Sequence, residues 1–261
     1  MKQLKQVELK PLTNFDSLNL NVSSEKKYDL TDLDEEQTNK LFTQIYEIIS
    51  KSQGAIIGSN IGDNTYVNTQ IKSSSSKSKI FTFPEPNPIC IYYNSANRHL
   101  QQSYALKNKF FTEEQHFDTD YHYDNFIEYF QETSEGVILL STTIEGFINQ
   151  LLPDSLEIEI NGIKKNKDEI EWLDINTKLR RVLPYIIGVD FQQTNPKDYD
   201  NICLVIDLRN DLIHLKKSIA PNITYYQLLF KRLMDFKHIT CSDSVYTFVN
   251  TMVPDYFVEK K

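Results

Sequence analysis

The sequence predicts an α+β protein: an all-helical bundle over its second half, carrying one small β-hairpin, preceded by a smaller, mixed and strand-rich N-terminal region. Three observations predict it. Tyr121 to Gln150 lacks proline and repeats apolar residues at helical spacing. Residues 55 to 93 hold short β-branched and aromatic runs punctuated by Gly, Asn, Ser and Pro. Leu156 to Ile163 alternates with period two into Asn161-Gly162, a strong hairpin signal. The character of the chain changes near residue 110, which divides it into a region of 1–110, without an assigned role, and a helical domain of 111–261.

Composition limits what such a protein does. With 261 residues, 40% of them hydrophobic, the chain can bury one large core or two modest ones. Its formal charge of -8 argues against gripping long nucleic acid over a broad basic face, so any nucleic-acid contact must be local. Arginine, suited to fixed bidentate contacts, occurs only at Arg98, Arg180, Arg181, Arg209 and Arg232. Cys90, Cys203 and Cys241 have neither disulfide-scaffold nor zinc spacing, and a reducing cytoplasm is expected. No apolar run approaches the roughly 20 residues of a membrane helix, so no membrane partner is expected.

Taken in order, Thr31 to Gln53 reads as a helix, with Asp32, Asp34, Glu35 and Glu36 in its first turn and Leu41, Ile45, Ile48 and Ile49 on one stripe. Ala55–Gly58, Thr65–Val67, Lys79–Phe83 and Ile89–Tyr93 read as strands, and Ser73 to Lys79 as an exposed hairpin tip. Tyr121 to Gln150 reads as one long helix, or two broken near Ser134 to Gly136. After Pro153 and the hairpin, helical patterning covers Lys167 to Ile187, Pro196 to Lys216, Ile223 to Ile239 and Ser242 to Val253.

The most chemically loaded run is Asp207-Leu208-Arg209-Asn210-Asp211-Leu212-Ile213-His214. Ile202, Val205, Ile206, Leu212 and Ile213 supply apolar positions of this helix, which must therefore pack against neighbours. Asn210 and His214 are i,i+4 neighbours on one face, and Arg209 reaches that face through its stem. A guanidinium in such a helix costs free energy unless a carboxylate, a carbonyl or an anionic ligand meets it.

The stretch Leu208 to His214 resembles the signature of the HEPN domains, helical bundles in which an Arg, often followed by a polar residue, precedes a His by four to six positions. Upstream, Leu139 to Leu152 is similar to the HEPN helix that carries an acidic residue and then Asn, here Glu145 and Asn149. The resemblance covers the chain from about residue 120. It implies a metal-independent endoribonuclease working as a homodimer with a composite cleft, in a toxin-like or anti-phage role, with RNA as substrate and a regulatory protein as a further partner. It equally allows a non-catalytic module that binds a nucleotide or a protein.

The residues suit the chemistry so implied. Attack by a ribose 2′-hydroxyl needs a base, an acid for the leaving 5′-oxygen and positive charge on the phosphorane, and no metal or cofactor. His214 would serve as base or acid, Arg209 would clamp the phosphate, and Asn210 would hold the phosphate or orient the imidazole. Glu145, with Asn149 one turn on, would pair with Arg209 or position His214; Asp211 is counted with these supporting residues.

Other patterns carry less. His116-x-Asp118-x-Asp120-x-His122 alternates possible ligands without firm metal-site spacing, and no metal is expected. Gly58-Ser59-Asn60-Ile61-Gly62 lacks the Gly-Lys-Ser/Thr of a phosphate loop and reads as a turn. Arg232 and His238 repeat the loose Arg-His spacing, but Leu233 follows the arginine. Tyr225, Tyr226, Phe230 and Phe236 read as core or dimer contacts.

Overall fold

The computed structural model describes residues 3–11, 33–51, 57–61, 64–72, 80–112, 119–219 and 221–260. The chain forms two compact units, Lys10–Asn87 and Met1–Leu9 together with Pro88–Lys261. The division falls at Asn87, not near residue 110 as composition suggests, because a helix crosses residue 110 unbroken.

The Lys10–Asn87 unit holds α1 (Glu35–Lys51) and an antiparallel sheet of β1 (Ile57–Ile61), β2 (Asn64–Lys72) and β3 (Ile80–Pro84), in that order. α1 begins where Asp34 Oδ1 accepts from the Gln37 amide at 2.8 Å and Gln37 Oε1 accepts from the Asp34 amide at 3.1 Å, a reciprocal cap. β1 pairs with β2 from Ile57↔Asn68 to Ile61↔Asn64, so Gly58–Ile61 is strand and not the expected turn. Its poor strand formers are held opposite Thr65, Tyr66 and Val67, which are good ones. The expected hairpin tip at 73–79 lies outside the described residues. Pro11 and Pro86, near the two ends of this unit, form an isolated antiparallel bridge.

The larger unit is a helical bundle. Its first helix, α2 (Pro88–Thr112), begins at Ile89–Tyr93, the run expected to be a strand. Ile89, Cys90, Tyr93, Ala96 and Leu100 are all buried, and their spacing is a helical stripe that five residues alone cannot reveal. α3 (Thr119–Gln150) runs through Ser134–Gly136 without a break. Gly136 is needed for packing: a Cβ there would meet Leu100 Cδ2 at 2.5 Å, so glycine lets α2 and α3 approach. Ser103 against Thr133 and Ile89 against Gly146 show that the two helices run antiparallel.

Next comes the expected hairpin, β4 (Glu157–Ile160) and β5 (Ile163–Asn166), turning at Asn161 and Gly162 with φ of 55° and 77°. The stretch expected as one helix to Ile187 is instead α4 (Lys167–Glu171), α5 (Ile175–Thr177), a π turn (Lys178–Val182) and α6 (Leu183–Ile187). Asp174 starts α5 by accepting from the Thr177 amide at 2.9 Å. Pro184 has no N–H for an α-helical bond, and the wider π turn precedes it. α7 (Phe191–Thr194), α8 (Pro196–His214), α9 (Gln227–Met234) and α10 (His238–Met252) complete the unit.

α3, α8 and α10 form the centre. Val137, Leu140, Ile144 and Phe147 of α3, Ile202, Val205 and Leu208 of α8, and Cys241, Val245, Phe248 and Val249 of α10 are all fully buried. A satellite core of Leu152, Leu156, Ile158, Ile160, Ile170 and Val182 sits under the hairpin.

An extended segment of residues 4–7 is held along α2 by side chains. The Leu4 amide donates to Gln101 Oε1 at 2.8 Å, and Asn97 Nδ2 donates to the Lys5 carbonyl at 2.6 Å. Asn94 takes both backbone groups of Val7, at 2.8 and 2.7 Å. Val7 also pairs with Glu259, flanked by Glu8 N to Val258 O and Lys260 N to Gln6 O, each 2.8 Å. No helix among the described residues is long and apolar enough to cross a membrane.

Candidate functional site

α8 carries the Arg-Asn-His run in its last turns. Pro196 occupies its first turn, where its missing N–H costs nothing, and Tyr199, Ile202, Val205, Ile206, Leu208 and Leu212 form the buried stripe. The neighbouring positions turn outward. Arg209 and Asn210 are half-buried, while Asp211, Ile213 and His214 are exposed, so Ile213 does not join the core as expected.

Arg209 Nη1 donates to Asn210 Oδ1 at 3.0 Å, which fixes the amide with its NH2 group still available as a donor. Among the described residues no carboxylate pairs with Arg209, and none holds His214. His214 is the last residue of α8, and Leu215 ends the helix at φ 27° and ψ 58°. A leucine in this left-handed region is strained, since its Cβ crowds the following carbonyl. The next residues, Lys216 and Lys217, are exposed. Lys217 Nζ stands 4.9 Å from the Tyr225 ring centroid, and the Ser218 amide donates to the Tyr225 carbonyl at 2.9 Å.

The supporting residues fall elsewhere. Asp211 forms an ion pair with Arg232 of α9. Glu145 and Asn149 pair with Lys178, not with Arg209: Lys178 Nζ lies 3.5 Å from Glu145 Oε1, 3.0 Å from Asn149 Oδ1 and 2.6 Å from the Glu171 carbonyl. Two residues on, Arg180 Nε donates to Tyr199 Oη at 2.6 Å, which ties this network to the start of α8. Tyr199 precedes Arg209 by ten residues, about 15 Å along the helix axis, so the network sits toward the opposite end of the bundle.

Lys178 is the residue that sequence reasoning missed. It is fully buried at the start of the π turn, and a lysine in an irregular stretch gives no sign that it is buried. The second Arg-His pair resolves as structural. Arg232 is engaged by Asp211, and His238 is buried, its Nε2 2.8 Å from Ser103 Oγ. Burial, reinforced by the Lys107 charge and opposed by a hydrogen bond with the Phe236 backbone, pushes the His238 imidazole down to about 3. Phe236 is core, Phe230 packs edge-on to Phe126 at 5.2 Å, and Tyr225 is exposed. His116 and Asp118 lie outside the described residues, as do the side chains of Asp120 and His122. Compared with known proteins, the chain matches no family model, no curated protein and no solved structure.

Proposed function

We propose that this chain is a HEPN-type endoribonuclease that cleaves RNA without a metal, by attack of a ribose 2′-hydroxyl on the adjacent phosphate. The observation that carries the reading is the outward-facing end of α8, where a guanidinium without a carboxylate partner, a fixed amide and an accessible imidazole share a turn and a half of helix. A buried structural network would have sealed and matched these groups. Arg209 binds the nonbridging phosphate oxygens, Asn210 donates its amide to them, and His214 moves the proton.

One chain supplies one imidazole, while the reaction needs both a base and an acid. A second copy, placed against the same face, brings the other His214. The exposed apolar side chains that flank the site in the chain, Ile213, Leu215, Ile219, Tyr225 and Leu228, suit such a covered face. A toxin-like or anti-phage role, with a regulatory protein partner, follows from the HEPN resemblance alone, and a cytoplasmic location from the number and spacing of the cysteines.

The test is incubation of the purified chain with mixed RNA in excess EDTA, beside Arg209→Ala and His214→Ala. Cleavage by the wild type alone, leaving 2′,3′-cyclic phosphate ends, is the expected result. Equal cleavage by all three proteins overturns the assignment. RNA or nucleotide binding that depends on Arg209, without cleavage, would instead identify the binding module, a reading favoured by the engagement of Glu145 and Asn149 with Lys178.

A further inference from the structure

A second cluster of polar side chains lies on α2 and α3, outside the α8 site. His99 Nδ1 is 2.8 Å from Glu132 Oε2 and 3.1 Å from Glu135 Oε2. The three donor atoms all fall within 4.8 Å of one another. The charges here do not balance. An imidazole nitrogen carries at most one proton and donates it to one acceptor, yet two carboxylates converge on it. Glu132 and Glu135 are three residues apart on one helical face, where like charges repel. Among the described residues, neither carboxylate is paired with a lysine or an arginine. Two carboxyl groups thus face one imidazole in a setting where the Glu132 side chain is only 17% exposed.

We propose that His99, Glu132 and Glu135 bind one divalent transition-metal ion, zinc in particular, bridging α2 and α3. A mixed donor set of one nitrogen and two carboxylate oxygens is characteristic of such ions, whereas magnesium and calcium take oxygen donors. Bonds of about 2.0–2.2 Å at tetrahedral or octahedral angles keep neighbouring donors about 3.0–3.6 Å apart, and the spacing here already approaches that range. The dication displaces the Nδ1 proton to solvent and supplies the charge that two carboxylates lack. The geometry is held by rigid parts. Leu100, next to His99, packs against Gly136, next to Glu135, where the two helices have no room for a Cβ. Gln131 Nε2 donates to the other oxygen of Glu135 at 3.3 Å and orients that carboxylate from outside the donor set. Glu135 is 43% exposed, which leaves a solvent-side path for the ion and positions for water. This site is independent of the α8 reading, whose chemistry proceeds in EDTA.

The test uses the whole chain, stripped with chelator and titrated with Zn²⁺ by calorimetry and with Co²⁺ by visible absorption, beside His99→Gln and Glu132→Gln. One equivalent bound by the wild type is expected, with affinity falling tenfold or more in each variant and the cobalt spectrum changing with His99→Gln. Zn²⁺ should raise the melting temperature of the wild type and leave both variants unmoved, a comparison of increments that holds even if a variant is less stable. Mg²⁺ should give neither signal. Absence of stoichiometric binding overturns the proposal, and so does binding that both variants retain unchanged, since the ion then resides elsewhere on the chain.

Discussion

Acidification from about pH 7 to about pH 5 should weaken the larger unit through His238, and the size of the effect follows from where that ring sits. It is 2% exposed, with the rings of Phe236, Tyr104 and Tyr129 at centroid distances of 5.2, 6.0 and 6.1 Å. Its imidazole is pushed down to about 3 in the fold, chiefly by burial, against about 6.5 in the unfolded chain. The folded pKa is depressed, so below about 6.5 the unfolded chain takes up a proton that the folded one refuses. The stability contributed by neutral His238 is therefore complete above that pH and is lost progressively as pH falls toward about 3. At 1.36 kcal/mol per unit, the loss by pH 5 is about 2 kcal/mol, or roughly 4–8 °C in Tm for a unit of this size. Denaturant unfolding across this range, for the wild type and His238→Gln, isolates the effect, because every other residue is common to both proteins. The substituted chain should show a shallower dependence by that amount. Parallel curves, or an NMR titration in which this imidazole protonates above about pH 5 while the protein stays folded, would refute the reasoning.

The remaining predictions concern the other polar groups and the helix packing. His214→Ala should lower RNA cleavage by about 10²–10⁴-fold and leave folding intact because the side chain is exposed; single-turnover cleavage with circular dichroism checks both halves. Arg209→Lys should not rescue Arg209→Ala fully, since a lysine cannot hold two phosphate oxygens in the guanidinium fork. Glu145→Gln should destabilise more than Lys178→Met. The first leaves a fully buried ammonium with only the neutral oxygens of Asn149 and Glu171, at a cost of up to about 3 kcal/mol, whereas the second leaves a carboxylate that is 33% exposed and reaches water; paired urea melts decide the order. Gly136→Ala should cost about 1–3 kcal/mol by forcing α2 off α3. Gly146→Ala should cost less, because the new methyl meets only the flexible Ile89 Cδ1.

Patterns confined to one element were legible in the sequence, and relations between elements were not. The hairpin at Leu156–Asn166 follows from alternation and an Asn-Gly turn, and α8 follows from its apolar stripe to within two residues of its end. Ile89–Tyr93 misled because β-branched and aromatic residues in a short window satisfy both periods, and the helical one shows only when Ala96 and Leu100 are included. Gly136 left open whether α3 is one helix or two, because glycine weakens a helix in isolation, whereas here it serves the contact with α2. At the candidate site, Asn210 and His214 lie four residues apart in one helix, a relation that spacing can express. It could not choose a partner for Glu145, since periodicity fixes the face of a helix and says nothing of which helix lies opposite. His99, Glu132 and Glu135 come together by the same kind of unreadable pairing, 33 residues apart at their closest hydrogen bond.

With residues 6–8 hydrogen-bonded to 258–260, the Lys10–Asn87 unit is an insertion: the chain runs through one unit, departs to build another, and returns. Two consequences attach to that topology. The segment of residues 6–8 can dock on α2 through Asn94 early, but its backbone pairing with 258–260 waits until residue 260 has been made, so this seam closes late through contacts of very long sequence separation. And because Pro11 and Pro86, near the two ends of the inserted unit, form a bridge, those ends lie close together, the arrangement in which a cassette can be excised and the gap rejoined by a short linker.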